Sequence, residues 1–284
     1  MLTNKRWKYS LFLIKNSKAL IMGLALLIFV LCVTFFGPLL VTANPNLVNL
    51  QEKLLPPSSG HPFGTDMLGR DILSRIVYGA RNTMLAAAIS VVIGLFFGVF
   101  LGGIAGYAGK KVDMGLMRSA DILLAFPTLL LAMALCAALG PSLEKAALAV
   151  GISFIPSYMR LIRSKVLSVK EMEYVEAARA IGASSWRIFS HHVLPNSISP
   201  VFVASMVYAG FGILWTTSLS FIGLGAQPPT PEWGLMILQG RDYVLSGQWW
   251  VVAFPGIFIA IAVAAFNLIG DGLRDILSPK LRIT

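Results

Sequence analysis

Six long apolar stretches constrain the fold of this chain more than any other feature of its sequence. They lie at about residues 19–41, 83–107, 122–139, 146–163, 198–222 and 249–269. Each is close to the roughly 17–25 residues that an α-helix needs to cross the hydrocarbon core of a bilayer. Backbone polar groups find no water there, so they must bond within the segment, as they do in a helix. The sequence therefore predicts an all-α integral membrane protein with six transmembrane helices.

The overall composition also favours a membrane protein. Hydrophobic residues make up 56% of the chain and charged residues only 13%, whereas about 25% of the residues in an ordinary soluble domain are charged. The net charge of +10 would suit a nucleic-acid partner, but the basic residues lie at the ends of the apolar stretches rather than in one patch. That distribution indicates membrane topology. We expect contacts with the lipid bilayer and none with nucleic acid.

The first apolar stretch has the basic flank of a signal peptide, but it is too long for one. It covers 23 residues, whereas the apolar part of a signal peptide has about 7–15, so we expect an uncleaved first span. Cys32 and Cys136 lie inside apolar stretches and are interpreted as small buried residues without a disulfide. In the second span, Gly94, Gly98 and Gly102 recur every four residues, which indicates a small face for close helix packing.

Six spans place both termini on one side of the membrane, and the basic residues indicate which side. Of the 23 lysines and arginines, 17 fall on the side of the termini and 6 on the other. Because Lys and Arg accumulate in cytoplasmic segments, we expect both termini in the cytoplasm. The polar loop between the fourth and fifth spans, at about residues 164–197, then also lies in the cytoplasm.

This cytoplasmic loop carries the sequence EAARAIGASSWRIFSHHVLP from Glu176 to Pro195. Carboxylates near its start, small alanines and the helix breaker Gly182 predict two short helices at an angle. Pro195 is expected to end the unit before the fifth span. We call residues 171–195 the knob and expect its small face to enter a groove on another protein; a plain connecting loop is the alternative. The candidate docking residues are Glu176, Ala177, Ala178, Gly182, Leu194 and Pro195.

The first outer segment, at about residues 42–82, contains the sequence GTDMLGRDILSR from Gly64 to Arg75. Apolar residues at helical spacing from Met67 onward predict a short amphipathic helix at the outer interface. Its charged residues are expected to form exposed ion pairs, which contribute little to stability and would order the segment or contact an external protein. The candidate residues are Gly64, Thr65, Asp66, Gly69, Arg70 and Asp71.

The second outer segment, at about residues 223–248, follows the fifth span and begins with closely spaced glycines and prolines. This composition excludes a regular helix there. Irregular backbone at membrane depth persists only where protein or a water-filled cavity covers it, so we predict a re-entrant loop at the mouth of a pore. The candidate residues are Gly223, Gly225, Pro228, Pro229, Trp233 and Gly234.

Together these motifs resemble those of ABC-importer permeases. The Glu-Ala-Ala of the knob, its glycine and its closing Leu-Pro are similar to the EAA loop that such importers share, although His192 stands where the pattern has an apolar residue. Residues 61–75 and 220–234 resemble the more specific signatures of the dipeptide, oligopeptide and nickel branch. Thr216 departs from that branch at a position that is often acidic.

The resemblance covers essentially the whole chain. It implies an N-terminal region at 1–75, with the first transmembrane helix and the outer loop, and an importer transmembrane domain of type I at 81–280. It also implies a bacterial cytoplasmic (inner) membrane location, a second related permease in a heterodimer, two ATP-binding subunits that hold ATP and Mg, and an extracytoplasmic solute-binding protein. Peptides are the expected cargo, with nickel or a metal–chelator complex as the alternative.

Two other classes of function remain open from the sequence. An ion-coupled secondary carrier predicts buried charges near the membrane midplane, but the second, third, fifth and sixth spans contain no Asp, Glu, Lys or Arg. A membrane-bound enzyme or scaffold would need a catalytic cluster, and no GxxxxGK[ST], HExxH or GxSxG motif occurs. His191 and His192 would point about 100° apart on a helix. We therefore expect no catalytic residue, metal or cofactor in this chain.

Overall fold

The computed structural model describes residues 17–41 and 43–277, which are mainly α-helical. The helices in this part of the chain are α1 (Lys18–Leu40), α2 (Ile72–Ala108), α3 (Lys110–Leu124), α4 (Thr128–Leu139), α5 (Leu143–Val169), α6 (Glu173–Ala180), α7 (Ser185–Ile188), α8 (Leu194–Ser197), α9 (Ser199–Ile222), α10 (Trp233–Gly240) and α11 (Trp250–Leu277). Short 3-10 turns lie at Leu50–Glu52 and Arg241–Tyr243. The prediction of an all-α fold is confirmed.

Within the described residues, five helices are long and apolar enough to cross a bilayer: α1, α2, α5, α9 and α11. Helices α3 and α4 pass the same test only as a pair, and they meet at an angle of 90°. The predicted third span, 122–139, is therefore wrong at its start, because residues 122–124 are the last turn of α3. The bend lies just before Pro127, which has no N–H to donate and disfavours helical backbone at Phe126.

Helix α2 is longer than the apolar stretch that predicts it. It runs over 37 residues from Ile72, about 55 Å at 1.5 Å per residue, and so extends well beyond a hydrocarbon core of about 30 Å. The separate amphipathic helix expected from Met67 is wrong, since the helical pattern belongs to the first turns of α2. Asp71 caps this helix by accepting a hydrogen bond from the backbone N–H of Ser74 at 2.8 Å. The helix is continuous across residues 75–81.

Helices α2 and α5 pack closely along the predicted glycine face. A Cβ atom added to Gly98 would lie 2.3 Å from the Cβ of Tyr158, and one added to Gly102 would lie 2.4 Å from the carbonyl oxygen of Met159. Such distances leave room for glycine alone, so these residues serve packing, as expected. The two helices therefore form the rigid centre of the bundle.

The connections gather at two ends of the bundle. Leu20 of α1 packs against Gly272 of α11, and at this same end Phe189 of the knob packs on Tyr107 near the end of α2, with ring centroids 5.2 Å apart. The two outer segments lie at the opposite end, where Trp250 at the start of α11 borders the first of them. We call these the knob end and the loop end.

Candidate functional site

The knob folds as two short helices that are separated at Gly182. Helix α6 ends with Gly182 in left-handed backbone, at φ +82°, and the N–H of Ala183 donates to the carbonyl of Ala178 at 3.1 Å. This is a helix ending that favours glycine. Ser184 then caps α7 by accepting a hydrogen bond from the backbone N–H of Arg187 at 3.4 Å. The turn sets the two helices at a fixed angle.

Pro195 does not end the unit, contrary to the sequence prediction. A π-helical turn at Phe189–Val193 leads directly into α8, and Pro195 stands in the first turn of that helix. Proline is tolerated there because the N–H that it lacks has no partner within the helix. Leu194 is half-buried and Pro195 is exposed.

Buried apolar residues hold the knob against the ends of the long helices. Val175, Ile188 and Val193 are almost completely buried, and they belong to the same core as the inner side chains of α5. Lys170, at the end of α5, donates through its Nζ to the carbonyl of Gly106 at 3.2 Å. A displacement of the knob would therefore displace the ends of α2 and α5 with it.

The outer face of the knob exposes large apolar side chains. Ile181 is 85% exposed and Trp186 is 66% exposed, and Ile181 borders a groove that Ala177, Gly182 and His192 also line. Of the predicted docking residues, Glu176, Ala177 and Gly182 lie on this exposed side, whereas Ala178 faces inward. The sequence analysis missed Ile181 and Trp186. The sequence did contain an indication of their exposure. The two bulky apolar residues flank a short polar turn, and a turn of that kind cannot easily bury both.

The charged residues of the first outer segment form a buried network, not the exposed pairs that were expected. Arg70 and Arg75 are at most 2% exposed. Asp66 accepts a hydrogen bond from Nε of Arg70 at 2.7 Å and lies 3.6 Å from Nε of Arg75. Arg70 also donates to Gln239 at 3.0 Å, and Arg75 donates to the carbonyl of Pro45 at 3.0 Å. The network fastens this segment to α2 and α10.

The remaining residues of this motif shape the turn that carries the network. Gly69 has φ +71°, and a Cβ atom added there would lie 1.7 Å from the carbonyl oxygen of Asn49. The buried hydroxyl of Thr65 donates to the carbonyl of Glu52 and accepts from the N–H of Leu55. Gly64 also has positive φ. The structure thus brings all six predicted residues together in one folded turn.

The second outer segment turns back into the bundle through α10. Gly223 ends α9 in left-handed backbone, and the chain passes Gly225 and the exposed residues Pro228 and Pro229 before it re-enters the protein. Trp233 is fully buried, and its indole N–H donates to the carbonyl of Ile76 at 3.0 Å. Gly234 packs against Thr217, with 2.2 Å between an added Cβ and the Thr217 carbonyl oxygen. Helix α10 contacts α2, α9 and α11.

The sequence analysis missed Glu232, a fully buried carboxylate beside these residues. Its side chain caps α10 by accepting hydrogen bonds from the N–H groups of Gly234 and Leu235, at 3.0 and 2.8 Å. The hydroxyl of Thr83 in α2 donates to it at 3.3 Å. Burial raises the pKa of the Glu232 carboxyl, although these hydrogen bonds act in the opposite direction. An acidic residue directly before an apolar helix was the available signal.

A cleft opens on one face of the bundle between α5, α9 and α11. Tyr208 and Phe211 belong to its largely apolar wall, and Asp271 and Arg274 border it towards the knob end. All four side chains are at least partly accessible. A surface of this kind can contact both the apolar and the charged parts of a small polar molecule.

Comparison with known proteins gives consistent matches over this fold. Residues 94–283 match the family of binding-protein-dependent transport system inner membrane components. The chain is 45% identical over 268 residues to the probable D,D-dipeptide transport system permease protein DdpC of Escherichia coli K12, covering 94% of this chain and 90% of the relative. It is also 45% identical over 276 residues to the dipeptide transport system permease protein DppC of Alkalihalophilus pseudofirmus, covering 97% and 90%.

A third relative and one solved structure extend the comparison. The glutathione transport system permease protein GsiD of Pectobacterium atrosepticum is 46% identical over 227 residues, which are 80% of this chain and 75% of the relative. A chain of the inward-facing MetNI methionine ABC transporter superposes with a TM-score of 0.57 at 18% identity, over 72% of this chain and 97% of that chain. At that identity the likeness concerns the fold.

Proposed function

Because this chain belongs to the family of binding-protein-dependent transport system inner membrane components, we propose that it is the permease subunit through which an ATP-driven importer passes short peptides. It is a multi-pass membrane protein and a transport component rather than an enzyme. The observation that carries the ATP-driven part of the proposal is the knob, which is anchored on its inner side and exposes Ile181 and Trp186 on its outer side.

The cargo follows from the relatives. Two of them are named for dipeptides and one for glutathione, and this supports peptides over the nickel or metal–chelator cargo that the sequence left open. The cleft between α5, α9 and α11 supplies half of a path, with aromatic walls at Tyr208 and Phe211 and charges at Asp271 and Arg274. A second, related permease would face this cleft and complete the path.

The exposed surface of the knob fits a groove on a separate ATP-binding subunit. Exposed side chains as large as Ile181 and Trp186 are typical anchors of a protein interface, and the groove that Gly182 borders can accept a side chain of the partner. ATP and Mg would be bound by that partner. An extracytoplasmic binding protein would deliver the peptide at the loop end.

The knob would pass work to the pore as a rigid body. Its inner residues share a core with α5, and α5 packs tightly on α2 through the glycine face. Closure of the two ATP-binding subunits would move the knob, and the long helices would tilt with it. The pore would then alternate between an inward and an outward opening, each favoured by a different nucleotide state.

The knob end would face the cytoplasm. Basic residues such as Lys110, Lys111 and Arg118 of α3 and Lys165 of α5 lie there, and lysines and arginines accumulate on the cytoplasmic side of membrane proteins. Both termini follow, since α1 begins and α11 ends at this end of the bundle.

The proposal is tested by reconstituting the permease pair, the ATP-binding subunits and the binding protein in vesicles and measuring uptake of a labelled dipeptide. Gly182→Pro should reduce ATP-dependent uptake at least about tenfold while ATP binding persists, because proline holds φ near −65° and Gly182 needs +82°. Gly247→Pro is the matched control. Gly247 has φ +93° and open surroundings, but lies at the loop end, so this variant should retain uptake.

Three results would contradict parts of the proposal. Uptake by Gly182→Pro at the wild-type rate would show that the knob is not the docking element. Uptake by this permease without any ATP-binding subunit would show that the transport is not ATP-driven. Nickel uptake that a dipeptide fails to inhibit would replace peptides as the cargo.

A further inference from the structure

Helix α3 is fastened to α5 by two ion pairs at the knob end. Asp113 accepts hydrogen bonds from both Nε and Nη2 of Arg163, each at 2.5 Å. Farther along the same helices, Nη2 of Arg160 donates to Asp121 at 2.6 Å. Neither pair belongs to the predicted docking residues or to the outer motifs.

The spacing of the four residues shows how α3 lies on α5. The two arginines are three residues apart, about 4.5 Å along α5, whereas the two aspartates are eight residues apart, about 12 Å along α3. Two parallel helices would keep these spacings similar. The two arginines, about one turn apart on α5, thus hold two points of α3 that are about two turns apart, and the 90° bend that follows leads into α4.

The two ion pairs differ in geometry and in exposure to solvent. The side chains of Arg163 and Asp113 are 32% and 17% exposed, whereas those of Arg160 and Asp121 are 56% and 47% exposed. A bidentate, partly buried pair fixes the orientation of both side chains, while an exposed pair contributes little. The Asp113–Arg163 pair is thus the stronger attachment.

Helix α3 has few other attachments. Ala120 is its one fully buried residue. Its covalent link to α2 is a sharp corner in which both Gly109 and Lys110 have positive φ. Without the Asp113–Arg163 pair, little in α3 itself would hold it to α5.

The pair stands between the knob and the loop end. Helix α5 continues through residues 170–172 into α6 of the knob, so Arg163 moves with the knob. Helix α3 continues through the bend into α4, whose Cys136 thiol donates to the carbonyl of Leu224 at 3.1 Å. Leu224 belongs to the outer segment that precedes α10. One series of contacts from the knob to Leu224 therefore passes through Asp113 and Arg163, beside the direct packing of α4 on α5.

We propose that the Asp113–Arg163 pair positions α3 and α4 on α5, so that a movement of the knob reaches the outer segment at Leu224. Both would act as positioning residues, through the placement of α3 and α4 on α5. This inference rests on the proposed function, because it needs a knob that is moved by an ATP-binding subunit. Loss of the pair would leave the knob and the long helices free to respond to ATP, while α3, α4 and the part of the outer segment at Leu224 follow less closely.

The test compares ATP hydrolysis and dipeptide uptake in the same reconstituted vesicles. Asp113→Asn should lower the peptide taken up per ATP hydrolysed by about 5- to 30-fold, the range that a loss of one or two kcal/mol produces, while hydrolysis stays within about twofold. The exchange of charges in Asp113→Arg with Arg163→Asp should restore most of the ratio. Asp242→Asn, which removes the exposed Asp242–Arg241 pair at the loop end, is the matched control and should change neither rate.

The outcomes separate this inference from the proposed function. If the wild-type protein takes up peptide without hydrolysing ATP, the proposed function fails. If the wild type is coupled and Asp113→Asn keeps the wild-type ratio, or loses hydrolysis and uptake in parallel, the positioning role is overturned. If Asp113→Asn fails to insert into the membrane, the variant with exchanged charges decides the question. Recovery of both membrane insertion and the peptide taken up per ATP supports the positioning role. Recovery of insertion alone overturns it.

Discussion

At the scale of single residues, the loop end depends on the ionisable side chains of Arg70, Arg75 and Glu232, which are buried. Arg70 and Arg75 are anchored by Asp66, and Glu232 is anchored by backbone N–H groups at the start of α10. Removing one partner of such a set leaves a buried charge without compensation, which is far costlier than losing an exposed pair. These residues therefore fix the outer segments in place on the bundle.

Glu232 gives the stability of the second outer segment a dependence on pH. Burial raises its pKa in the folded protein, so the folded state holds this proton at pH values where the unfolded chain has lost it. The stabilising contribution is present below the usual pKa of a glutamate and is lost as the pH rises through the raised value. Glu232→Gln should therefore flatten the fall of the unfolding temperature across that pH window, measured by thermal unfolding in detergent.

The control for this measurement is Asp242→Asn, which changes an exposed carboxylate at the same end. It should leave the pH dependence of the unfolding temperature as it is in the wild type. An equal slope in Glu232→Gln and in the wild type would show that Glu232 is not protonated preferentially in the folded state.

At the scale of helices, α2 and α5 are joined because glycine lets their backbones approach. Gly98→Ala should lower the free energy of unfolding by about 1–3 kcal/mol, the usual range for overpacking, because the new Cβ would lie 2.3 Å from that of Tyr158. Gly115→Ala in α3 is the matched control, since an added Cβ there would have no atom within 4 Å apart from its own helical turn. Chemical unfolding in detergent measures both, and equal stability of the two variants would contradict the close approach.

The sequence predicted the kind and approximate number of the helices but not all of their ends. Apolar length alone identified five of the spans, because a bilayer demands about 20 apolar residues. It could not identify the turns of α2 before Asn82, where Arg75 is buried by partners distant in the chain such as Pro45. Pro127 was a local indication of the bend. The prediction of one straight span rested instead on the apolar stretch of 18 residues that contains this proline.

In the candidate sites, too, the sequence predicted local features but not contacts between distant segments. Glycines with a defined backbone role, such as Gly69 and Gly182, were identified because a turn leaves a local trace in the sequence. The burial of Arg70, the inward position of Ala178 and the exposure of Ile181 were not, since each depends on which distant segment packs beside it. Contacts between segments are not encoded in the periodicity of either one.

At the scale of the whole molecule, the bundle separates two kinds of surface. The knob end exposes apolar residues on a knob that is packed firmly against the long helices. At the loop end, buried charged residues attach the first outer segment to α2 and α10. Long helices connect the two ends. This arrangement suits a subunit that receives work at one end and controls access at the other, and it requires the knob to be in the cytoplasm.

Cysteine labelling tests that requirement most directly. In a chain with Cys32 and Cys136 replaced by alanine, Ser185→Cys places a single exposed thiol on the knob and Ser59→Cys places one on the first outer segment. With a membrane-impermeant maleimide, we predict that the knob thiol reacts only in inverted membranes and is protected when the ATP-binding subunits are present, while the Ser59→Cys thiol reacts only from outside. Labelling of the knob thiol in intact cells, or equal labelling with and without those subunits, would contradict the account.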